Sequence, residues 1–290
     1  MFNSINKTTK LLGLIGHPVK QSYSPFIHNM ASEISKIDYI YLPFDVPTVN
    51  LRNALKGMVA LGIKGFNVTV PHKVKILDYL NNLSDEATVT GSVNTIVNDN
   101  GKLTGYNTDV DGIIESLRHF KNEITGKRVT VIGTGGAARA LIYVLIRFYK
   151  PQQIHIVNRT EHRGELMKVF FKDKMKYDSF KIHELFPPDL VDVFQNSKLI
   201  VNATPIGMYP EINDNITSIP ESFNKDQIVF DFVYNPVKTK FLELAESQGA
   251  TTINGIKMLV HQAARSFFLW TGKEMPIDQL YKSLLLYIQK

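Results

Sequence analysis

The sequence predicts an α/β protein of two domains, and three observations carry that expectation. Its 290 residues exceed the usual size of one compact domain unless the fold is a barrel. Over the first hundred or so residues, short apolar runs alternate with helix-like stretches, which reads as an α/β domain with a largely parallel sheet. A second alternating series begins after Gly126.

The first series runs "LLGLIG", "SPFIHNMASEIS", "IDYIYLPFDV", "TVNLRNALKGMVAL", "IKGFNVTV", "HKVKILDYL" and "SVNTIVND". A hairpin is expected to close it, because Asn100-Gly101 stands between two strand-like runs. The second series reads "KRVTVIG", "AARALIYVLIRF", "QIHIVNR", "KLIVNAT" and "QIVFDFV", and from about Phe241 the chain looks mostly helical. Between Arg163 and Ser197 charges and aromatics mix without a clean period, so that segment stays open. No internal repeat is visible.

Hydrophobic residues make up 44% and charged residues 21% of the chain, an ordinary globular profile able to bury a large core. No apolar stretch is long enough for a signal peptide core or a membrane span. With no cysteine, disulfides and thiolate chemistry are both excluded, and the expected location is the cytoplasm. The net charge of +6 comes without a dense Lys/Arg run. A nucleic-acid binder would concentrate that charge in a stripe, so a small anionic ligand suits the balance equally well.

"VTVIGTGGAARA" sets strand-type residues directly before Gly133, Thr134, Gly135, Gly136 and Ala137 and a helix-forming stretch directly after them. In that setting glycines let the backbone approach a pyrophosphate, while the helix N-terminus offers N–H groups and the positive end of its dipole. Ala138 takes the small position that close helix–strand packing needs. Dinucleotide binding is the expectation. The next strand, "QIHIVNRT", ends in Asn158, Arg159 and Thr160. An acid there accepts hydrogen bonds from the ribose of NAD, whereas an arginine pairs with the 2′-phosphate of NADP. Arg159, with Arg163 one helical turn on, favours NADP; Glu161 as a ribose ligand and Arg159 as a solvated surface residue are the competing readings.

In "GFNVTVPHK" two polar residues interrupt an apolar strand. Side chains alternate along a strand, so Asn67 and Thr69 share one face and Val68 and Val70 the other. Pro71 is expected to open a helical turn that carries Lys73 close to those polar groups. Ser22 and Ser24 stand two apart before Pro25, with Ser24 readable as a plain helix N-cap. Asp109 falls in the first turn of a helix, where an acid also stabilises the dipole, and Thr108 with Asp111 has the look of a capping box. Asn94 could be a turn residue. Gln262, one turn after Met258 on one helix face, could be a surface residue.

Taken together, "SYSPFIHN", "GFNVTVPHK", "SVNT", "YNTD", "GTGGAARA", "NRT", "NATPIGM", "DFVYNP" and "GIKMLVHQA" follow one another as in a known family: the chain resembles the shikimate dehydrogenases. The resemblance runs from about residue 12 to residue 275. It implies reduction of 3-dehydroshikimate to shikimate with NADPH, on the way to chorismate and the aromatic amino acids. It implies that Ser22, Ser24 and Tyr234 hold the substrate carboxylate, that Asn67, Thr69, Asn94 and Gln262 bind ring hydroxyls, and that Lys73 and Asp109 are the catalytic pair. On the cofactor side Gly133, Thr134, Gly135, Gly136, Ala137, Asn158, Arg159, Thr160, Arg163, Phe232 and Gly255 match the family's NADP contacts. No metal is implied. The implied fold has an α/β substrate domain, residues 1–106 completed by C-terminal helices within 239–290, and a Rossmann-like NADP-binding domain, 107–238, with the active site in the cleft between them. A monomer or homodimer is expected. Gln21 stands where many members carry histidine, Ser92 replaces a common alanine, and the segment after Arg163 looks longer than in compact members.

Reducing a ketone needs a hydride at carbon and a proton at oxygen as charge builds there. A lysine ammonium supplies a proton and a positive field; burial and a neighbouring aspartate act on its acidity in opposite directions, and the sequence leaves the balance open. Three alternatives remain for comparison. A bifunctional quinate/shikimate dehydrogenase using NAD or NADP shares the scaffold, although "NVTVPHK" and "NRTEHR" look more like the shikimate-specific NADP type. A non-catalytic NADP-binding regulator is disfavoured by retention of Lys73 and Asp109. Glutamyl-tRNA reductase requires a cysteine nucleophile that this chain lacks.

Overall fold

The apolar run of residues 10–16 becomes an interior strand of the first of two sheets in the computed structural model, which describes residues 5–288. One unit comprises the chain to Asp111 together with the residues from Val260 onward, and the other comprises Gly112–Leu259.

In the first unit the strands are β1 (Lys10–Gly16), β2 (Tyr39–Asp45), β3 (Gly65–Val68), β4 (Asn82–Leu83), β5 (Thr95–Asp99) and β6 (Lys102–Tyr106). The helices are α1 (Ser24–Ile34), α2 (Leu51–Ala60) and α3 (Asp85–Thr90), with the C-terminal α11 (Ile277–Ile288) returning to the same unit. The sheet order is β2-β1-β3-β5-β6-β4. β1 runs parallel to β2 and β3, whereas β5 is antiparallel to both β3 and β6, so the sheet is mixed. β5 and β6 form the expected hairpin, with Asn100 and Gly101 both at positive φ, 51° and 91°.

Alternation along β1 separates two cores. Leu12 and Leu14 pack with Val19, Tyr41 and Trp270, while Ile15 joins Leu51, Leu55, Phe66, Val68 and Ile96. Gly65 is required by close approach: a Cβ there would lie 2.2 Å from Trp270 Nε1, the atom that donates to Ile96 O at 2.9 Å. His28 is fully buried and stacked on Tyr41, with ring centroids 4.4 Å apart, and Trp270 lies 5.2 Å away. Burial lowers its imidazole pKa to about 3.

The second unit holds β7 (Arg128–Ile132), β8 (Gln153–Asn158), β9 (Phe180–Glu184), β10 (Leu199–Asn202), β11 (Ile228–Asp231) and β12 (Thr251–Ile253). Its helices include α5 (Lys121–Ile124), α6 (Gly136–Val144), α7 (Glu161–Met175), α8 (Val191–Gln195) and α9 (Lys240–Ser247). α4 (Asp109–Leu117) and α10 (Ile256–Thr271) contribute residues to each unit. All pairs in this sheet are parallel, in the order β12-β11-β10-β7-β8-β9. Counting from β7, that is the 3-2-1-4-5-6 arrangement of doubly wound dinucleotide-binding sheets. The open segment after Arg163 resolves into the rest of α7, edge strand β9, a short 3-10 turn and α8.

The second compact unit runs from Gly112 to Leu259, beside the 107–238 expected for the middle domain. Residues 239–259 belong to the second unit because β12 pairs with β11, while Asn107, Thr108 and Asp109 are tied to Thr90, Asn94 and Lys73 of the first. Pro71 does not open a helical turn. His72 N–H closes back onto Thr69 O, and the fully buried His72 ring bonds Val46 O at 2.7 Å through Nε2. Lys73 therefore rides on a turn, with 3-10 geometry starting at Lys75.

Candidate active site

The turn after β3 is fixed at both its ends. Thr69 N–H donates to Ile15 O, and Val93 N–H donates to Lys73 O at 2.8 Å. The Lys73 side chain, 15% exposed, reaches Asp109 at the start of α4, where Nζ donates to Oδ2 at 2.5 Å. Asp109 is 3% exposed. Its other oxygen accepts from Asn94 Nδ2 at 2.9 Å.

The orientation of the Asn94 amide follows from its partners. Its Oδ1 accepts from the Thr108 backbone N–H at 2.7 Å, and a backbone amide can only donate, so Nδ2 must face Asp109. The same Nδ2 lies 3.4 Å from Gln262 Oε1. The Asp109 carboxylate thus receives an ammonium N–H on one oxygen and an amide N–H on the other, both charge-assisted bonds. Asn94 and Gln262 are buried, 3% and 8% exposed, so neither is an ordinary turn or surface residue.

Asn67 sits lower in the same cluster. Its Oδ1 accepts from Tyr41 Oη at 2.8 Å, and its Nδ2 faces Thr95 Oγ1, Ser266 Oγ and Asn94 O at 3.0–3.1 Å. Thr69, just past the strand, is half-buried. At the start of α1 the plain N-cap reading of Ser24 is corrected: the cap position is Tyr23, and it is Ser22 Oγ that accepts from the Ser24 N–H, at 3.2 Å. The Ser24 side chain is buried without that duty.

Sequence reasoning missed Tyr41, His72, Thr95, Thr108 as a network member, and Ser266. The one local signal was for Ser266, which follows Gln262 by four residues and so shares its face of α10.

In the second unit Gly133 adopts φ +105°, and a Cβ there would lie 2.7 Å from Thr204 Cγ2. Its N–H donates to Val157 O. Gly135 has open space where a side chain would stand, and α6 begins at Gly136 with Ala137 in its first turn. Thr134 Oγ1 donates to Asn158 Oδ1 at 3.3 Å, and Asn158 Nδ2 to Thr160 O at 3.0 Å. Arg159 and Arg163 are exposed at the end of β8 and the first turn of α7. Gly255 is needed for approach, since a Cβ would meet Phe232 O at 2.3 Å. Tyr234, beyond β11, belongs to this unit, while Ser22 and Ser24 belong to the first.

Asp231 fastens the loops after β10 and β11. It accepts from Thr239 Oγ1 at 2.7 Å, Val233 N–H at 2.9 Å and Asn202 Nδ2 at 3.0 Å. Burial nevertheless pushes its carboxyl up to about 7. Among the described residues no cluster of His, Asp or Glu could hold a metal ion, and no helix is long and apolar enough to cross a membrane.

The open glycine turn, the helix start behind it and the paired exposed arginines fit a phosphorylated dinucleotide. A parallel doubly wound sheet carrying that site, alongside a unit with a buried lysine–aspartate pair, defines an α/β oxidoreductase of the NADP-linked class. The shikimate dehydrogenase substrate binding domain matches residues 14–96, and the shikimate 5'-dehydrogenase C-terminal domain matches residues 255–285. A shikimate dehydrogenase (NADP(+)) from Caldanaerobacter subterraneus subsp. tengcongensis is 43% identical, over 97% of this chain and 98% of that protein. Among solved structures, a shikimate dehydrogenase in complex with NADP+ is 39% identical with TM-score 0.89, covering 99% of this chain and 98% of that one. Shikimate 5-dehydrogenase from Listeria monocytogenes, in complex with shikimate and NAD, is 36% identical with TM-score 0.85, covering 98% and 99%. The chain belongs to the shikimate dehydrogenase family.

Proposed function

We propose that this protein catalyses the reversible NADPH-dependent reduction of 3-dehydroshikimate to shikimate. The observation that carries the reading is the Lys73–Asp109 pair, fastened by Asn94 at the edge of a buried polar cluster, in a chain of this family. Gly133 to Ala137, Asn158, Arg159, Thr160, Arg163, Phe232 and Gly255 would hold NADP, with the arginines on its 2′-phosphate. Bound there, the reduced nicotinamide supplies the hydride. Lys73 holds the proton that the ketone oxygen takes up, and takes it back in the reverse direction. Asp109 aims the ammonium, and Asn94 holds Asp109 in place. Ser22, Ser24 and Tyr234 are assigned to the substrate carboxylate, and Asn67, Thr69, Asn94 and Gln262 to its hydroxyls. We assign the enzyme to the cytoplasm as a monomer or homodimer, on the family resemblance.

The test is the initial rate of cofactor reduction with shikimate and, separately, quinate, each with NADP+ and NAD+. Turnover confined to shikimate with NADP+ is expected. Comparable quinate or NAD+ turnover would move the chain to the bifunctional type, and absence of turnover with every pair would leave a non-catalytic binding protein.

A further inference from the structure

Resting on the shikimate reading, we infer that Ser266 is a positioning residue for substrate binding, acting through Gln262 and Asn94. Ser266 is fully buried on α10. Its hydroxyl faces Gln262 O at 3.0 Å, Asn67 Nδ2 at 3.1 Å, Thr95 Oγ1 at 2.7 Å and Thr108 Oγ1 at 3.0 Å. A hydroxyl offers one proton and two lone pairs. Ser266 is therefore saturated, and it is the only one of the cluster's hydroxyls that α10 provides.

Proton accounting shows what the hydroxyl sets. Asn67 Oδ1 is taken by Tyr41, so its Nδ2 is the donor toward Ser266 and Thr95. Thr95 and Thr108 both lie within hydrogen-bond reach of Asn94 Oδ1, at 3.0 and 3.2 Å. With its one proton on Gln262 O, Ser266 can only accept from Asn67 Nδ2 and from one of the two threonine hydroxyls, which leaves the other threonine proton for Asn94 Oδ1. Ser266 thus ties the helix that carries Gln262 to the strand-end residues that orient Asn94. Its bond to Gln262 O fixes the backbone one turn before it, at the residue whose Oε1 lies 3.4 Å from Asn94 Nδ2.

Removing the hydroxyl leaves buried donors short of an acceptor and lets Gln262 drift from Asn94. The effect falls on the ground-state contacts that Gln262 makes with the substrate, while Lys73 Nζ keeps Asp109 Oδ2 as its partner.

The test is steady-state kinetics of the full chain for wild type, Ser266→Ala, Gln262→Ala and the double variant, with Ser266→Thr as the hydroxyl-retaining control. For Ser266→Ala, KM for shikimate is expected to rise about tenfold, the weight of one buried hydrogen bond, with KM for NADP+ held within about twofold. The double variant is expected to lie within about twofold of Gln262→Ala, because both changes remove one coupled unit. Ser266→Thr is expected to keep the wild-type KM. If Ser266→Ala does not fold, Ser266→Cys, which keeps volume with a weak hydrogen-bonding group, is measured in its place with the same expected KM shift. Multiplying effects in the double variant, an unchanged shikimate KM, or equal rises in both KM values would overturn the inference while wild-type turnover upholds the enzyme reading. A wild type without shikimate turnover overturns both.

Discussion

His28→Phe should make the protein less sensitive to acid. In the native chain the imidazole is buried among Tyr41, Phe267 and Trp270, and its pKa is lowered from 6.5 to about 3. The unfolded chain binds a proton that the native chain refuses. Stability is therefore lost as pH falls through the unfolded value of 6.5, continuing down to the native value of about 3, and the group has no effect above that window. Linkage gives a loss of about 2 kcal/mol between roughly pH 7 and pH 5 from this one group. Phenylalanine keeps the stack and removes the titration, so the variant should lose about 2 kcal/mol less than wild type over that interval. Other groups titrate alike in both proteins and cancel. Urea unfolding followed by the fluorescence of Trp270, the single tryptophan and a neighbour of the histidine, reads the difference directly. Equal pH slopes for the two proteins would refute the reasoning.

Two further outcomes follow from contacts already described. Gly65→Ala puts a methyl against Trp270 and Ile96 O, and should cost about 1–3 kcal/mol in the same unfolding assay; a change within about 0.5 kcal/mol would contradict the close approach. Arg159→Ala and Arg163→Ala should each raise KM for NADP+ about tenfold or more and leave KM for NAD+ nearly unchanged, as loss of a charge-assisted bond to a phosphate requires. A parallel rise for both cofactors would place those arginines elsewhere.

The features legible in the sequence were the local ones. The glycine turn announces itself because strand, glycines and helix are contiguous, and the Asn100-Gly101 hairpin because its turn chemistry is confined to two residues. Lys73 and Asp109 were legible by resemblance, yet the turn under Lys73 was not. It is set by His72 bonding Val46 O, a contact across 26 positions that no periodicity announces. The N-cap alternative for Ser24 stays open in the sequence, because an N-cap serine and a freed serine look identical before Ser22 is seen to take the Ser24 N–H. Ser266 is the extreme case: its partners Thr108 and Asn67 stand 158 and 199 positions away, and its identity as a hub exists only once α10 has returned to the first sheet. The bounds of the second compact unit are illegible in the sequence for a related reason. β12 is three residues long, too short to show alternation, and only its pairing with β11 assigns it.

The most direct test of the account is Lys73→Ala, assayed for shikimate oxidation with NADP+ and, separately, for equilibrium binding of shikimate. The account predicts a fall in kcat of about 10²–10⁴-fold, the range for a lost acid–base group, with shikimate affinity changed far less. A variant that kept most of its kcat while KM rose would show that Lys73 binds substrate and leaves the proton to another group.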